Sequence, residues 1–345
     1  MPCNLVKQGF APCNNLVEGS GGLGTPCELG LFRVGNEVYR LVYDIVLSRP
    51  EDYLSIYQSC CNHKCAMCHS WYFTQFARGS WYSPKDILNE VIRYSELITV
   101  KEPRDRATMW HASDICAHCG YCKLIGKEGP YCPKILSKDK VILSPQGWGP
   151  ARNIVSFTGG DLYCQPDFYV RSFKLIKKEV PDIWIHIETN GYGLTPKNLE
   201  ALYEAGLDSI WLDMKAYSRD TYYVLCGTTN EWVLKLPELI VDVDIVLEVV
   251  LLYIPGMVEL KEIEGFAELL ANVRKDIPVM LLAFFPEYRL RNAREPTYDE
   301  MVSAFKILKN YGLSRVKLGN VSVFCKDRAC VDKLISTIGR DSVAL

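Results

Sequence analysis

The central and C-terminal parts of the chain alternate strand patterns with helix patterns. The strand patterns are short β-branched or aromatic runs at 153–158, 183–188, 209–214, 244–253 and 279–285. Helix-period segments lie between and after them, at 167–179, 196–205, 259–274 and 297–310. Repeated βα units fold into a parallel sheet with helices on its faces. The alternation therefore predicts an α/β fold in which the sheet curls into a partial (β/α)6 TIM-like barrel.

Shifts in composition divide the chain into four parts. A strand pattern at 53–58 and a helix pattern at 84–97 extend the barrel toward the N-terminus. The stretch 101–149 interrupts the alternation with Pro, Gly, Lys and four cysteines, which is typical of an insertion. The predicted parts are a Cys- and Gly-containing segment (1–50), the barrel (51–100 and 150–320), the insertion (101–149) and a C-terminal tail (321–345).

The strand pattern at 53–58 leads directly into a loop with three closely spaced cysteines, Cys61, Cys65 and Cys68, in the order Cys-x3-Cys-x2-Cys. Such a loop presents three thiolates to three irons of a [4Fe–4S] cluster and leaves the fourth iron without a protein ligand. An open coordination position on a metal is a place for chemistry. The alternative is a structural zinc loop that uses two of the three cysteines.

A second motif, Thr-Gly-Gly-Asp, ends the strand pattern at 153–158. Together with the triad it resembles the radical S-adenosylmethionine (SAM) superfamily, in which the unique iron chelates the amino and carboxylate groups of SAM. One electron then splits SAM into methionine and a 5′-deoxyadenosyl radical. The resemblance assigns binding of the SAM amino group to Gly159, Gly160 and Asp161. Asp161 replaces the usual Glu, which keeps the carboxylate but shortens its reach.

Two further strand ends resemble pyruvate formate-lyase activating enzymes and the activase-like branch found beside Memo-like proteins. Residues 188–191 read Glu-Thr-Asn-Gly where those enzymes have Asp-Thr-Asn-Gly, and residues 213–215 read Asp-Met-Lys, an Asp-x-Lys segment. The resemblance implies that the first segment binds the SAM ribose and polar groups, and that the lysine of the second lies near the SAM carboxylate. The implied residues are Glu188, Thr189, Asn190, Asp213 and Lys215.

Two positions depart from that branch. Ser70 stands just after the triad, where Asn is frequent, and the resemblance makes it a cofactor-binding position. Phe285 stands where the branch commonly has His, so the sequence predicts that an imidazole on the side of SAM or the substrate is missing.

The insertion contains a third cysteine group, Cys116-x2-Cys119-x2-Cys122-x9-Cys132. It resembles a ferredoxin half-motif with a stretched last gap, so the insertion is predicted to be ferredoxin-like and to bind an auxiliary [4Fe–4S] cluster. Four ligands would saturate that cluster, which would then move electrons rather than activate a ligand. A zinc knuckle is the alternative.

The N-terminal segment carries three widely spaced cysteines, Cys3, Cys13 and Cys27, among Pro and Gly residues. They are candidates for a third metal site, either another cluster or a mononuclear iron. The fourth ligand stays open, and so does the existence of the site. Cys60, Cys325 and Cys330 are unassigned, and we interpret Cys164 and Cys226 as small buried residues.

Composition narrows the class of protein. The chain has 15 cysteines and no signal-peptide pattern, which favours iron–sulfur ligation in a reducing, anaerobic cytoplasm over disulfides. Its net charge of −2 gives no basic field for nucleic acid. No apolar run is long enough to span a bilayer, and peripheral membrane association stays open. A reductant such as ferredoxin or flavodoxin is the expected partner.

These features predict a radical SAM enzyme that abstracts hydrogen from an unactivated C–H bond of its own substrate, in an oxidative or C–C bond-forming step. A large apolar or lipid substrate rests only on the aromatic residues between 71 and 82, which loop packing explains better. One alternative is an activase that installs a glycyl radical on a partner enzyme. Another, from a different class, is a non-enzymatic iron–sulfur electron carrier.

Overall fold

The computed structural model describes residues 3–345, which form one large sheet, two small hairpins and helices packed against the large sheet. The strands are β1 (Val17–Gly19), β2 (Gly22–Gly24), β3 (Leu31–Val34), β4 (Glu37–Leu47), β5 (Leu54–Gln58), β6 (Ser80–Tyr82), β7 (Ile142–Ser144), β8 (Gly147–Gly149), β9 (Ile154–Gly159), β10 (Trp184–Thr189), β11 (Ser209–Met214), β12 (Val246–Tyr253), β13 (Val279–Ala283) and β14 (Val316–Gly319).

The helices lie mainly between the parallel strands. They are α1 (Asn4–Lys7), α2 (Pro26–Gly30), α3 (Trp71–Thr74), α4 (Pro84–Ser95), α5 (Tyr121–Leu124), α6 (Asp167–Glu179), α7 (Pro196–Glu204), α8 (Arg219–Cys226), α9 (Leu236–Val241), α10 (Leu260–Val273), α11 (Tyr298–Asn310), α12 (Val321–Phe324) and α13 (Arg328–Ile338). Short 3-10 helices lie at Arg104–Arg106, Met109–Asp114, Lys138–Lys140, Val233–Lys235, Tyr288–Leu290 and Arg340–Ser342.

The large sheet has the strand order β14-β13-β12-β11-β10-β9-β5-β4-β3, with β6 paired to β4. Strands β5 and β9 to β14 are parallel neighbours, whereas β3, β4 and β6 join antiparallel. Strand β12 is buried along all but its first residue, as expected for a parallel strand covered on both faces. The predicted α/β fold with a parallel sheet is confirmed. Among the described residues β14 and β3 are not paired, so the sheet is open.

Local sequence signals place several elements at their predicted bounds. Strand β11 and helix α6 match the predictions 209–214 and 167–179. Helix α11 begins at a capping box in which Thr297 and Glu300 satisfy each other's backbone N–H groups. The sequence missed β4 and β14, which lie toward the two ends of the sheet order, and helix α8.

The N-terminal segment contributes to the large sheet. Strand β4 pairs antiparallel with β5, from Val42 opposite Gln58 to Leu47 opposite Leu54. Arg40 on β4 is fully buried, and its guanidinium donates hydrogen bonds to backbone carbonyls of loops that follow β5 and β9. The segment is therefore tied to the edge of the sheet at which those strands end.

The insertion lies against the opposite edge, where the parallel strands begin. Lys317, near the start of β14, donates to the carbonyl of Trp110 (2.8 Å) and to the carboxylate of Asp114 (2.6 Å). Glu248, near the start of β12, accepts from the N–H of Trp110 (2.8 Å). The C-terminal ends of the same strands are left for the candidate site.

The C-terminal tail contains α12 and α13, and Val343 forms a parallel bridge with Leu318 of β14. Cys325 and Cys330, which the sequence left unassigned, are joined by a disulfide. The expectation of iron–sulfur ligation instead of disulfides is therefore wrong for this pair. Within residues 3–345, no helix has both the length and the apolar character that crossing a membrane requires.

Candidate active site

One cavity of about 390 Å³ lies at the C-terminal ends of the parallel strands. Residues that follow or end β5, β9, β10 and β11 meet there, because parallel strands bring these ends to one edge of a sheet. Its wall contains most of the residues that the sequence assigned to the catalytic cluster and to SAM: Cys61, Cys65, Cys68, Ser70, Gly159, Asp161, Glu188, Thr189, Asn190, Asp213 and Lys215.

The cysteine loop follows β5 and is held from two sides. The N–H of Ala66 donates to the carbonyl of Leu225 near the end of α8 (2.7 Å), and the Asn15 amide donates to the carbonyl of Cys61 (2.9 Å). Burial raises the pKa of the Cys61 thiol well above its ordinary value and that of Cys68 to about 11. Thiols in this setting keep their protons at neutral pH, so a metal that binds them would have to displace those protons.

Asp161 connects two strand ends beside this loop. Its Oδ2 accepts from the hydroxyl of Thr189 (2.5 Å) and from the N–H of Asn190 (3.1 Å), and its Oδ1 accepts from the Asn62 amide (3.3 Å). Burial raises the pKa of Asp161 above its ordinary value. The short Asp side chain thus orders the ends of β9 and β10 while it forms part of the cavity wall.

The two glycines before Asp161 differ in position. Gly159 lines the cavity and has a φ of +85°, a conformation that favours glycine. Gly160 lies behind the wall, where a Cβ would stand 2.1 Å from the carbonyl oxygen of Cys60. Its own carbonyl accepts from the Arg40 guanidinium (2.9 Å). Gly160 therefore permits close backbone approach, and Gly159 is the glycine that a ligand could contact.

Polar side chains also order the inside of the cysteine loop. The His63 ring lies 2.9 Å from Asn62 Oδ1 on one side and 2.9 Å from the Tyr222 hydroxyl on the other. Burial lowers the pKa of His63 to about 3, so its ring is neutral at physiological pH. The Asn190 amide donates to Asn62 Oδ1 (2.7 Å) and lies 3.8 Å from the Cys61 sulfur. The sequence did not single out His63.

Glu188 forms part of the cavity wall but already has partners. Its carboxylate accepts from the hydroxyls of Tyr53 (3.0 Å), Ser156 (3.1 Å) and Thr158 (2.5 Å). Burial raises the pKa of Glu188 to about 7. Its capacity to accept hydrogen bonds from a ribose is therefore shared with three hydroxyl groups of the protein.

Asp213 of β11 and Lys215, just after the strand, form an ion pair in the cavity wall. Burial opposes the charge of Lys215, but Asp213 and the Cys65 thiol raise its pKa above the ordinary value. Lys215 therefore stays protonated and supplies a positive charge close to the cysteine loop. That charge suits the carboxylate of a bound amino acid moiety.

Phe285, where the sequence predicted a missing imidazole, lies in the wall next to a different imidazole. His69 lies against Phe285, with ring centroids 3.9 Å apart, and both residues line the cavity together with Ser70. Phe285 thus lacks the imidazole of the related branch, while His69, which the sequence did not single out, supplies one beside it. The sequence signal that could have identified His69 is its position directly after Cys68.

The aromatic residues after the triad pack mainly against one another and their neighbours. Trp71 stacks on Tyr288, with centroids 5.0 Å apart, and Phe73 stacks on Tyr43 at 4.6 Å. None of Trp71, Tyr72, Phe73, Phe76, Trp81 and Tyr82 belongs to the cavity wall. The interpretation of these residues as loop packing fits this arrangement.

The insertion cysteines lie in the region that packs near the edge where the parallel strands begin: Cys116, Cys119, Cys122 and Cys132. The N–H of His118 donates to the Cys116 sulfur (3.2 Å), and the His118 ring lies 3.0 Å from the carboxylate of Asp52, just before β5. Burial raises the pKa of Cys116 to about 12. A Cβ on Gly129 would stand 2.3 Å from the Cys119 sulfur, so this loop needs glycine there.

The N-terminal cysteines are half-buried and pack against the main core. The Cys27 sulfur lies 3.7 Å from that of Cys164, a residue that the sequence left as a small buried side chain. Within residues 3–345, no three His, Cys, Asp or Glu side chains are drawn together closely enough to hold a metal ion. We therefore group the cysteines by their spacing in the sequence and by the residues that surround them.

A cysteine loop and polar strand ends around one cavity of an α/β sheet are typical of an enzyme that binds an iron–sulfur cluster and a polar cofactor. The family model described as the radical SAM superfamily matches residues 114–270, a range that begins after the cysteine triad. Over this range the chain is similar to the radical SAM superfamily, the class that the triad resembles, and the match supports an enzyme.

Similar proteins agree with this class. A protein of Methanocaldococcus jannaschii with the provisional name glycyl-radical enzyme activating enzyme is 29% identical over 178 residues, which cover 49% of this chain and 62% of that relative. The structure of HydG, a maturase of the [FeFe]-hydrogenase, is 11% identical and covers 85% of this chain and 55% of its own, with a TM-score of 0.51.

A domain of pyruvate-formate lyase-activating enzyme from Bacteroides vulgatus is also similar. It is 20% identical and covers 48% of this chain and 98% of its own, with a TM-score of 0.42. This chain thus matches less than two thirds of the curated relative, and the HydG likeness concerns the fold alone.

Proposed function

We propose that this enzyme cleaves SAM reductively in the cavity and uses the resulting radical to abstract hydrogen from an unactivated C–H bond. The observation that carries the proposal is one cavity whose wall joins three cysteines to Asp161, Asn190 and Lys215. Thiolates are soft ligands suited to iron, and the carboxylate, amide and ammonium suit the polar groups of SAM. An electron carrier or a zinc protein would not require the carboxylate, amide and ammonium groups beside its cysteines.

In this proposal Cys61, Cys65 and Cys68 hold a [4Fe–4S] cluster. Bound together, the cluster and SAM supply the one-electron chemistry that yields methionine and a 5′-deoxyadenosyl radical. Lys215 pairs with the SAM carboxylate, and the end of β10 orients the ribose. His63, which burial keeps neutral, holds Asn62 in place without adding charge beside the thiolates.

Cys116, Cys119, Cys122 and Cys132 hold the auxiliary [4Fe–4S] cluster. A small cavity of about 70 Å³ has His118 in its wall and shares Leu282 and Asn320 with the wall of the main cavity. The two cavities are thus neighbours, which brings His118 of the insertion near the main cavity, as electron transfer between the two clusters requires. Cys132 is half-buried, which suits contact with a ferredoxin or flavodoxin in a reducing, anaerobic cytoplasm. The open sheet acts as a partial barrel around the main cavity.

The hydrogen donor is a substrate of the enzyme itself or a glycine of a partner enzyme. A cavity of about 390 Å³ lies at the small end of the range for ligand sites, roughly 300–1,000 Å³, so SAM leaves room for only a small part of the donor. The provisional name of the Methanocaldococcus relative favours the activase as a second candidate. Because the aromatic residues after the triad lie outside the cavity wall, they give a lipid substrate no support.

The proposal is tested by incubating the anaerobically reconstituted enzyme with SAM and dithionite and measuring 5′-deoxyadenosine. Wild type is expected to form it, and the triple variant Cys61→Ala, Cys65→Ala, Cys68→Ala is expected to form none. That variant should also lose about four irons per chain, the content of one cubane. Zinc without iron in the anaerobically purified wild type would contradict the proposal.

The two candidate hydrogen donors are distinguished by adding fractions of an anaerobic extract of the source cells to the enzyme. Stimulation of 5′-deoxyadenosine formation by the small-molecule fraction supports a substrate of the enzyme's own. Stimulation by the protein fraction, together with a glycyl-radical signal in electron paramagnetic resonance, supports the activase.

A further inference from the structure

Four cysteines from distant parts of the chain lie in the region beside the end of β9. Cys164 follows β9 and is buried (3% exposed), and its sulfur lies 3.7 Å from that of Cys27 at the start of α2. Cys3 immediately precedes α1, and the neighbouring Asn4 donates from its amide to the carbonyl of Cys164 (2.9 Å). The first helix is therefore fastened directly onto the residue that bears the fourth thiol.

Cys13 joins the same group through its loop. The Tyr192 hydroxyl, at the end of β10, donates to the carbonyl of Pro12 (3.1 Å) and so fixes the chain next to Cys13. Gly193, the residue after Tyr192, packs against the backbone of Cys164, since a Cβ on Gly193 would stand 2.5 Å from the Cys164 nitrogen. Contacts of neighbouring residues therefore bring Cys3 and Cys13 into the region of the Cys27–Cys164 pair.

A buried positive charge, that of Arg40, lies near these cysteines. Arg40 is fully buried, and its guanidinium donates to the carbonyls of Gly30, Cys60 and Gly160, to the Gln58 side chain and to the Tyr169 hydroxyl. Among residues 3–345 no carboxylate lies within ion-pair distance of Arg40. Its charge nevertheless acts to lower the pKa of the nearby Asp161 carboxyl. A buried cation without an ion pair is costly. The Gly30 carbonyl that it contacts ends α2, the helix at whose start Cys27 lies, so an anionic thiolate centre there would balance the charge of Arg40.

We propose that Cys3, Cys13, Cys27 and Cys164 bind a third iron centre next to the SAM site, with Cys164 as the ligand that the sequence could not identify. The Cys27–Cys164 separation of 3.7 Å is close to that of two thiolates on one tetrahedral metal with metal–sulfur bonds of about 2.3 Å. Cys3 precedes a one-turn helix and Cys13 lies outside helices and strands, so in this proposal both residues move toward the centre when the metal binds.

The centre is a single iron or an iron–sulfur cluster, since both take four thiolates. Its place within the chain supports a role near catalysis, because Cys164 follows Asp161 of the cavity wall by three residues. The inference does not depend on the reaction proposed above, since it concerns metal content alone.

The test measures iron, zinc and acid-labile sulfide per chain in the anaerobically reconstituted full-length protein, with Mössbauer spectra. Cys164→Ala and Cys13→Ala are both expected to lose the same centre. A loss of about one iron without sulfide identifies a single ion, and a loss of about four irons with sulfide identifies a cubane. Cys13 is half-buried, so its variant remains informative if the buried Cys164→Ala fails to fold.

Cys60→Ala is the matched control, because Cys60 is fully buried near Arg40 and Cys27 but is not one of the four ligands. It is expected to keep the full iron content. Wild-type metal content in both ligand variants, or loss of iron in Cys60→Ala with retention in Cys164→Ala, would overturn the proposal. So would zinc in place of this iron, or a Cys27–Cys164 disulfide found by thiol titration of the anaerobic protein.

Discussion

The two edges of the same parallel strands are built from different kinds of contact. At the edge where the strands end, Asp161, Asn190 and Lys215 surround an open cavity. At the edge where they begin, the insertion is fastened by Lys317 to Asp114 and by Glu248 to the backbone of Trp110. The first edge keeps polar groups accessible to a ligand, whereas the second uses them for docking. Because the strands are parallel, the candidate active site lies at their C-terminal ends and the insertion is attached at their N-terminal ends.

The two cysteine loops show the same contrast. The triad loop is enclosed between α8 and the end of β9, and it shares its cavity with the residues assigned to SAM. The insertion loop has four cysteines instead of three, and Cys119 and Cys132 are half-buried near the surface. A loop that must shield a radical is expected to be enclosed, and one that receives electrons is expected to be accessible. The following predictions test this division.

The largest effect is expected from Cys119→Ala in the insertion. Because the triad and the strand ends around it are untouched, SAM binding and uncoupled formation of 5′-deoxyadenosine should persist, while turnover of the hydrogen donor should be lost. The measurement is 5′-deoxyadenosine and product formed per enzyme under single-turnover conditions. Leu124→Ala, an exposed change on the adjacent helix α5, is the control and should behave as wild type. Normal turnover by Cys119→Ala would make the insertion a structural element only.

The sequence predicted those parts of the molecule that short-range patterns determine. Strand β11 and helix α6 have periodic burial within one element, so their bounds could be predicted. The triad loop could be recognised because its three thiols lie within eight residues. Strand ends at 188–191 and 213–215 were placed together because parallel βα units align their C-terminal ends.

Contacts between distant residues could not be predicted in this way. Lys317 and Asp114 are 203 residues apart, and no local pattern says that β14 will fasten the insertion. The same holds for Cys27 and Cys164, 137 residues apart. His69 was overlooked because its role depends on Phe285, which reaches it only through the fold. These pairings arise from packing, for which a single sequence carries no periodic signal.

A smaller effect is expected at the catalytic edge from Lys215→Ala. Loss of the ammonium leaves the SAM carboxylate without its charged partner, which costs on the order of 1.5–3 kcal/mol. SAM binding should weaken roughly ten- to a hundredfold, as measured by calorimetric titration, while the iron content stays at the wild-type level. Asp213→Ala is expected to weaken binding in the same direction, because it releases the ion pair that positions Lys215.

Lys64→Ala is the matched control for this measurement. Lys64 is exposed on the same cysteine loop and lies outside the cavity wall, so its loss removes an equal charge without a contact to the ligand. Wild-type SAM affinity in both Lys215→Ala and Asp213→Ala would mean that the end of β11 does not bind the cofactor.

The smallest effect is expected at the opposite edge from Glu248→Gln, and it depends on pH. Burial raises the pKa of Glu248 from 4.5 to about 7. A carboxyl whose folded pKa is raised favours the folded state below the unfolded pKa, and this contribution is lost as pH rises through the folded value. Between about pH 4.5 and 7 the wild type should therefore lose stability that the neutral amide does not lose. The variant should be more stable at pH 8 by about 1–3 kcal/mol, and similar to wild type at pH 5.

The measurement is the apparent unfolding midpoint of the anaerobic protein at pH 5 and pH 8, followed by circular dichroism. Lys317 and Arg152 both lower the pKa of Glu248 and so limit the size of the effect, because part of the carboxylate charge is balanced by these cations. Glu268→Gln, at an exposed position of α10, is the control and should leave the unfolding midpoint close to that of wild type at both pH values. If the Glu248→Gln difference were equal at both pH values, the carboxyl would be ionised throughout. Glu248 would then carry a permanent charge at the edge where the strands begin, as Asp213 does in its ion pair with Lys215 at the other edge.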